Sequence, residues 1–422
     1  SGSLIYAQGD DLIIGSNVTL QNNINNTTGY GGAVYVYNIN NNYNTESNTA
    51  TTSVLNATIT NCEATNNGGG VCIIGSTIEI NADISNCSAV NGGAVALIDD
   101  AEDNNDQQIL TSTYLKYGGN RISQLATTTI TGTKTITGSY TNNTGSGYGG
   151  AFYISFSKSS SSDSAATVTF NGAIIRANTS VSGGGGVAIY SNANSSSARK
   201  TITFTGSTIR GNSTENEGGG INFRGSSASY ITTNIRNTAI YDNEADYYGG
   251  ALNLTNSSSI STVRFNITNM SSIYNNSARY SGGGASIDYI SAFYFGSSSD
   301  DSPSMYNNGN DNIVMNYSTG YIYGTMGETE SYDAKSYGIL ANGSTCRLYF
   351  SEPTRSGYEF LHYENDGTAW TSGSKTHTSL NVPVWYSVWS YDSYTVTFNA
   401  NGGEFDNGSS TMSKSIMYQD TY

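Results

Sequence analysis

The sequence predicts an all-β protein: a right-handed parallel β-helix (solenoid) over residues 1–304, followed by a C-terminal quarter of different character. Three observations carry this prediction. A glycine-pair motif recurs eight times at a repeat-like spacing. Between the copies lie Thr/Val/Ile-rich stretches with period-2 alternation, which marks strands rather than helices. The 422 residues include 49 Gly, only 3 Pro and only 12% charged side chains, about half the roughly 25% usual in soluble domains.

The composition also excludes several classes. Gly at this level with so little Pro is not collagen. Disorder normally combines high charge with few aromatics, whereas 11% of this chain is aromatic, including 33 Tyr. The net charge of −15 and the absence of Lys/Arg clusters argue against nucleic-acid binding. No apolar run of about 18 residues predicts a membrane span, and no basic-then-apolar region opens the chain at Ser1–Asp11. Without an initiator Met, the chain reads as a mature or excised piece of something longer. Four Cys (Cys62, Cys72, Cys87, Cys346) are too few for a disulfide scaffold and fit no zinc spacing.

The repeat justifies the solenoid. Its core is Gly-Gly-small-apolar-x-apolar, as in Gly31-Gly32-Ala33-Val34-Tyr35-Val36 and Gly218-Gly219-Gly220-Ile221-Asn222-Phe223, with the last copy at Gly282. Five of the seven intervals between copies are 31–37 residues, and the longest, 57, divides if Gly118-Gly119 is a degenerate ninth copy. Upstream of most pairs stands an apolar residue, two variable positions and Asn: Tyr140-x-x-Asn143, Ile175-x-x-Asn178, Ile209-x-x-Asn212, Ile240-x-x-Asn243 and Ile273-x-x-Asn276. Each unit therefore reads as three short strands separated by Gly and Asn corners. Such a unit cannot bury its apolar face alone, but stacked copies can. Nine or ten coils at about 4.8 Å each make a rod of roughly 45 Å. The glycines suit corners that need positive φ or that lie against the next coil. The Asn column is expected to stack as an amide ladder. Val34, Val36 and their equivalents should point inward, and Tyr35, Cys72, Ala96, Tyr153, Ala188, Asn222, Asn253 and Ser286 outward.

Gly-Gly-Ala-Val/Leu with an upstream Ile/Leu-x-x-Asn resembles the polymorphic outer membrane protein repeat of surface adhesins and autotransporter passengers. The resemblance covers about Ser1 to Tyr294, with Ile where that family usually has Phe. Further on, Pro353-Thr354-Arg355-Ser356-Gly357-Tyr358-Glu359-Phe360, Trp385-Tyr386-Ser387-Val388-Trp389 and Tyr394-Thr395-Val396-Thr397-Phe398-Asn399-Ala400-Asn401-Gly402-Gly403 occur in order. This order resembles the internalin-type B-repeat (Listeria–Bacteroides repeat), and that resemblance implies small β-grasp-like modules. One is expected at residues 305–390, and the start of a second at 391–422.

Candidate sites follow from the same columns. Arg176, Arg210, Tyr241 and Tyr274 each follow the Ile of the Asn motif, so they should stack in one column, a cation–π and aromatic ladder suited to glycans or a partner surface. The bland alternative is a ladder that only spaces the coils. Cys62 and Cys87 occupy the Asn slot of neighbouring coils, about 4.8 Å apart, which permits a disulfide; the alternative is two small buried thiols. Asp99, Asp100, Glu102, Asp103 and Asp106 form a weak Ca²⁺ candidate on a loop, in a spacing that fits no EF-hand and reads first as a solvated acidic loop. No His precedes residue 362, so no His-dependent catalytic triad is expected in the solenoid.

The expected function is an extracellular or cell-surface structural or adhesive protein that is not an enzyme. Its expected partners are a host or neighbouring-cell surface, glycans, or other copies of itself. A self-assembling surface filament or surface-layer subunit is the alternative, and a polysaccharide lyase or glycosidase comes third.

Overall fold

The computed structural model describes residues 2–8, 12–37, 53–75, 78–98, 132–156, 166–191, 199–226, 230–257, 262–297, 301, 303–309, 312–323, 325–326, 335–336, 339–350, 356–365, 367–370, 373–377 and 384–417. Among these the protein is all-β, with no helix. Most strands belong to three long sheets of 11, 8 and 20 strands, in which strands pair in parallel with their counterparts in the neighbouring sequence repeats, apart from one antiparallel strand at an edge of the largest.

One repeat shows how the sequence builds this pattern. Lys200–Thr205 and Thr208–Arg210 lie in the 20-stranded sheet, Ser213–Thr214 in the 8-stranded sheet and Ile221–Gly225 in the 11-stranded sheet. Lys200–Thr205 alternates buried and half-buried, so Ile202 and Phe204 enter the core while Thr201 and Thr203 face outward. Ile209, Ile221 and Phe223 complete this layer, all with no exposed surface. Register is preserved into the next repeat: Phe204 pairs with Ile235, Ile209 with Ile240 and Phe223 with Leu254. Each apolar side chain thus sits beside its equivalents, and Phe170 and Phe204 stack at 4.5 Å with their rings 8° from parallel. Full burial of such a side chain stabilises the fold by about 1.5–3 kcal/mol, but only where a neighbouring repeat supplies the other wall.

The glycine pair has two separate causes. Gly218 has φ 72°, the left-handed region, as do the first glycines of the other seven pairs. Gly219 has a different constraint: a Cβ there would lie 2.5 Å from the carbonyl oxygens of Gly250 and Glu244 in the next repeat. A second left-handed corner directly precedes the Asn slot, at Asn61, Asn86, Asn142, Ala177, Gly211, Asp242, Asn275 and Asn307. Asn, Asp and Gly tolerate this conformation; Ala177, at φ 52°, is the exception.

Two expectations require correction. The second, fourth and similar positions of the 11-stranded sheet do not form an open outer face. Cys72, Ala96, Ala188, Asn222, Asn253 and Ser286 are buried, and Tyr30, Tyr35, Tyr37, Cys72, Ile74 and Ala96 form a second apolar cluster. Strand pairing also shows no break at residue 304. Ile313–Asn316 pairs in parallel with Ala285–Asp288, Ile339–Asn342 follows it, and Thr345–Phe350 pairs in parallel with Thr319–Ile322. The glycine pair is lost there while apolar strand residues persist, so the sequence motif ends before the sheets do.

Antiparallel pairing begins in the last part of the chain. Gly373–His377 runs antiparallel along Thr345–Phe350, covering that edge of the largest sheet. Tyr358–Asn365 pairs with Val384–Tyr391 and Thr368–Trp370, with Tyr363 buried beneath Phe360. Ser393–Asn399 and Thr411–Met417 form a largely exposed hairpin.

Candidate functional site

The Asn slot forms a continuous buried amide ladder. Asn143 donates from its backbone N–H (2.9 Å) and from Nδ2 (3.0 Å) to Oδ1 of Asn178. Asn178 does the same to Asn212, Asn212 to Asn243, Asn243 to Asn276 and Asn276 to Asn308, at 2.9–3.1 Å throughout. Each Nδ2 also reaches a backbone carbonyl of the preceding repeat, as from Asn212 to Ile175 at 3.1 Å. Asn308 extends the column by one member; Met305-x-x-Asn308 carries the same spacing, but no glycine pair accompanies it. This ladder holds the repeats in register and is inaccessible to ligand.

Cys87 and Cys62 continue the slot: the Cys87 N–H donates to Asn143 Oδ1 at 3.0 Å. The anticipated bridge is absent, and both residues are thiols. Each sulfur turns toward the carbonyl two residues back, Cys62 to Thr60 at 3.4 Å and Cys87 to Ser85 at 3.3 Å. Asn243 and Asn276 direct Nδ2 to the equivalent carbonyl, so the slot orients its side chain in the same way whatever its identity. The neighbouring Cys87 thiol favours the Cys62 thiolate and pulls that pKa down to about 7, while the same pairing, then burial, push Cys87 up.

On the outer face of the largest sheet the structure places Arg176, Arg210, Tyr241 and Tyr274 at consecutive register positions. The Arg210 guanidinium lies 5.9 Å from the Tyr241 ring centroid. Tyr241 and Tyr274 stack at 4.8 Å and 5°, and Tyr306 continues the stack at 5.2 Å and 4°. Desolvation, then the neighbouring phenols Tyr241 and Tyr306, raise the Tyr274 pKa. A parallel column on the same sheet runs Asn234, Asn266, Tyr294, Tyr321, Arg347. Here Tyr294 and Tyr321 stack at 4.6 Å and 8°. Beside it opens a groove of ≈ 440 Å³ lined by Asn234, Arg236, Arg264, Asn266, Tyr294 and Asp301, among others. Periodic Tyr and Arg were visible in the sequence; the groove was not, because Arg236 and Arg264 fall at different positions of their strands.

A third feature lies on the 11-stranded sheet. Asn253 Nδ2 donates to Glu217 Oε2 at 3.0 Å and to Asn222 Oδ1 at 2.9 Å. Desolvation, then the charge of Glu217, raises the Asp288 pKa. Asn222 also lines a cavity of ≈ 290 Å³ with Tyr148, Tyr153, Tyr190 and Arg224. The outward-residue column contained no acid, and this pair comes from positions flanking it: Glu217 directly before a glycine pair, Asp288 at a strand end.

The acidic group Asp99, Asp100, Glu102, Asp103 and Asp106 lies outside the described residues, as does Gly118-Gly119. Among the described residues no three His, Cys, Asp or Glu converge as a metal site, and no helix is long and apolar enough to cross a membrane. No protein-family model matches the chain, and neither does a curated protein or a solved structure.

Proposed function

We propose that this chain is a right-handed parallel β-helix rod that acts outside the cell or at its surface as a structural or adhesive protein. The resemblances to the surface-protein repeats described above accord with this reading. The observation that carries it is the Arg176–Arg210–Tyr241–Tyr274–Tyr306 column, an outward-facing, half-buried ladder of cations and stacked rings with Arg176 exposed at one end. Rings held in place by their neighbours lose little entropy on contact, which favours binding to a repetitive surface. Beads coated with the purified protein are expected to adhere to cells or polysaccharide films, and the triple variant R210A/Y241A/Y274A to adhere less. Equal adhesion by the variant would remove the column from the reading; absence of adhesion by the wild type would sink the reading itself. Ordered fibres of the purified protein in negative stain would instead favour the filament alternative.

A second reading rests on Glu217 and Asp288. The charge of Glu217 raises the Asp288 pKa, and two carboxylates that sense each other are the equipment of a glycosidase. Release of reducing ends from a polysaccharide panel, abolished by Glu217→Gln, would replace binding by turnover.

A further inference from the structure

We propose that the groove around Arg236 and Arg264 binds an extended acidic polysaccharide, whose carboxylate or sulfate groups engage the two guanidinium groups. The proposal rests on the surface-binding reading above and names its ligand class.

The first argument is charge. The chain carries a net charge of −15, yet this groove holds two exposed arginines that form no salt bridge among the described residues. The acid in the groove, Asp301, is already engaged. It accepts hydrogen bonds from the backbone N–H of Asn269 and from the N–H and hydroxyl of Ser297, the latter two at 3.1 and 2.7 Å. It therefore caps a turn instead of pairing with either arginine, and both guanidiniums remain available for bidentate contact with an anion.

The second argument is spacing. Arg264 is in register with Thr232, and Arg236 with Thr268 on the same pair of strands. The two arginines thus stand four residues apart along the strand direction, about 13 Å at roughly 3.3 Å per residue. No single carboxylate or sulfate spans that distance; a polymer with charges at intervals does.

The third argument is the groove between them. Asn266 Nδ2 donates to Asn234 Oδ1 at 2.8 Å, which leaves Asn234 Nδ2 and Asn266 Oδ1 as a donor and an acceptor for sugar hydroxyls. Tyr294, in register with Asn266 on the next strand and stacked on Tyr321, forms one side as an aromatic wall. Such a wall packs against the C–H face of a pyranose. Anion, hydroxyl and C–H recognition therefore lie in one groove, the combination that an acidic glycan presents.

The test measures binding of alginate (carboxylate), dextran sulfate (sulfate) and neutral dextran to the full chain by calorimetry at low salt. The wild type is expected to bind at least one acidic polymer and not dextran; binding of only one assigns the anion. Arg236→Gln with Arg264→Gln should weaken binding at least tenfold, and Tyr294→Ala at least threefold. The control Arg199→Gln with Lys414→Gln removes the same charge from exposed positions elsewhere and should stay within twofold. Equal losses in the control, unchanged binding by R236Q/R264Q, or no acidic polymer bound by the wild type would each overturn the proposal. Bead adhesion is measured in parallel: adhesion by the wild type that survives R236Q/R264Q rejects the groove alone, whereas no adhesion by the wild type rejects the broader reading.

Discussion

Replacing Asn212 by Ala tests whether the amide ladder holds the repeats together. Asn212 is fully buried and makes four side-chain hydrogen bonds. Oδ1 accepts from the Asn178 N–H and Nδ2, while Nδ2 donates to Ile175 O and Asn243 Oδ1. Two neighbours keep a partner after truncation: Asn178 Nδ2 still reaches Tyr140 O, and Asn243 Oδ1 still accepts from the Asn212 N–H. The Asn178 N–H loses its acceptor. One stranded buried donor costs about 1–3 kcal/mol, and the void left by the amide adds roughly 1 kcal/mol. The expected loss is therefore about 2–4 kcal/mol in urea unfolding, against less than about 0.5 kcal/mol for the exposed Asn171→Ala. Hydrogen exchange locates the effect, because the Asn178 amide should lose protection first. Asn212→Asp adds a sign. Its second oxygen meets acceptors only, so the fold favours the protonated acid and raises the folded pKa above the unfolded value of about 3.9. Stability should then be greatest below that pH and fall as pH rises. A loss under about 1 kcal/mol for Asn212→Ala, with Asn178 exchange unchanged, would refute the reasoning.

Other expectations follow from single positions. Gly219→Ala forces a Cβ against the Gly250 and Glu244 carbonyls and should cost about 3 kcal/mol, whereas Gly172→Ala, with open space at φ 66°, should cost only the left-handed penalty of about 1–2 kcal/mol; comparable thermal-unfolding losses would contradict the close-approach account. Ala177→Gly relieves a left-handed Ala and should stabilise by about 1 kcal/mol in urea, and a destabilised variant would count against strain at that corner. Asp288 has a raised pKa from desolvation and from Glu217, so its contribution is present at acid pH and lost as pH climbs through the folded value. Asp288→Asn should accordingly gain urea resistance over the wild type between pH 3.5 and 7, and a shrinking gap would reverse that sign. Alkylation of the denatured, unreduced protein should add mass at all four cysteines; a shortfall of two labels would restore the Cys62–Cys87 bridge.

Much of the ladder was legible because its spacing is local. Ile-x-x-Asn places an inward apolar residue and a corner amide at fixed positions, and the near-constant repeat carries both into the next copy. The same holds for Arg176, Arg210, Tyr241 and Tyr274, which share one offset from the motif. The extension to Asn308 and beyond is not legible in the same way, because no glycine pair accompanies those strands. Parallel pairing needs only matching alternation, which Ile313–Asn316 and Thr345–Phe350 supply without it.

The sequence by itself determined the β class, the repeat length, the glycine corners and the identity of the stacked columns. All of these depend on residues within one repeat and on the certainty that adjacent repeats bury each other's apolar faces. Only the tertiary structure decided which columns see solvent, that the Cys pair stays as thiols, and that Arg236 meets Arg264 across one groove. Those outcomes depend on how strands from different repeats align and on which side chains already satisfy one another. Asp301 shows the difference: in sequence it is one more acid, while in the fold its carboxylate caps Asn269 and Ser297 and leaves two arginines for a ligand.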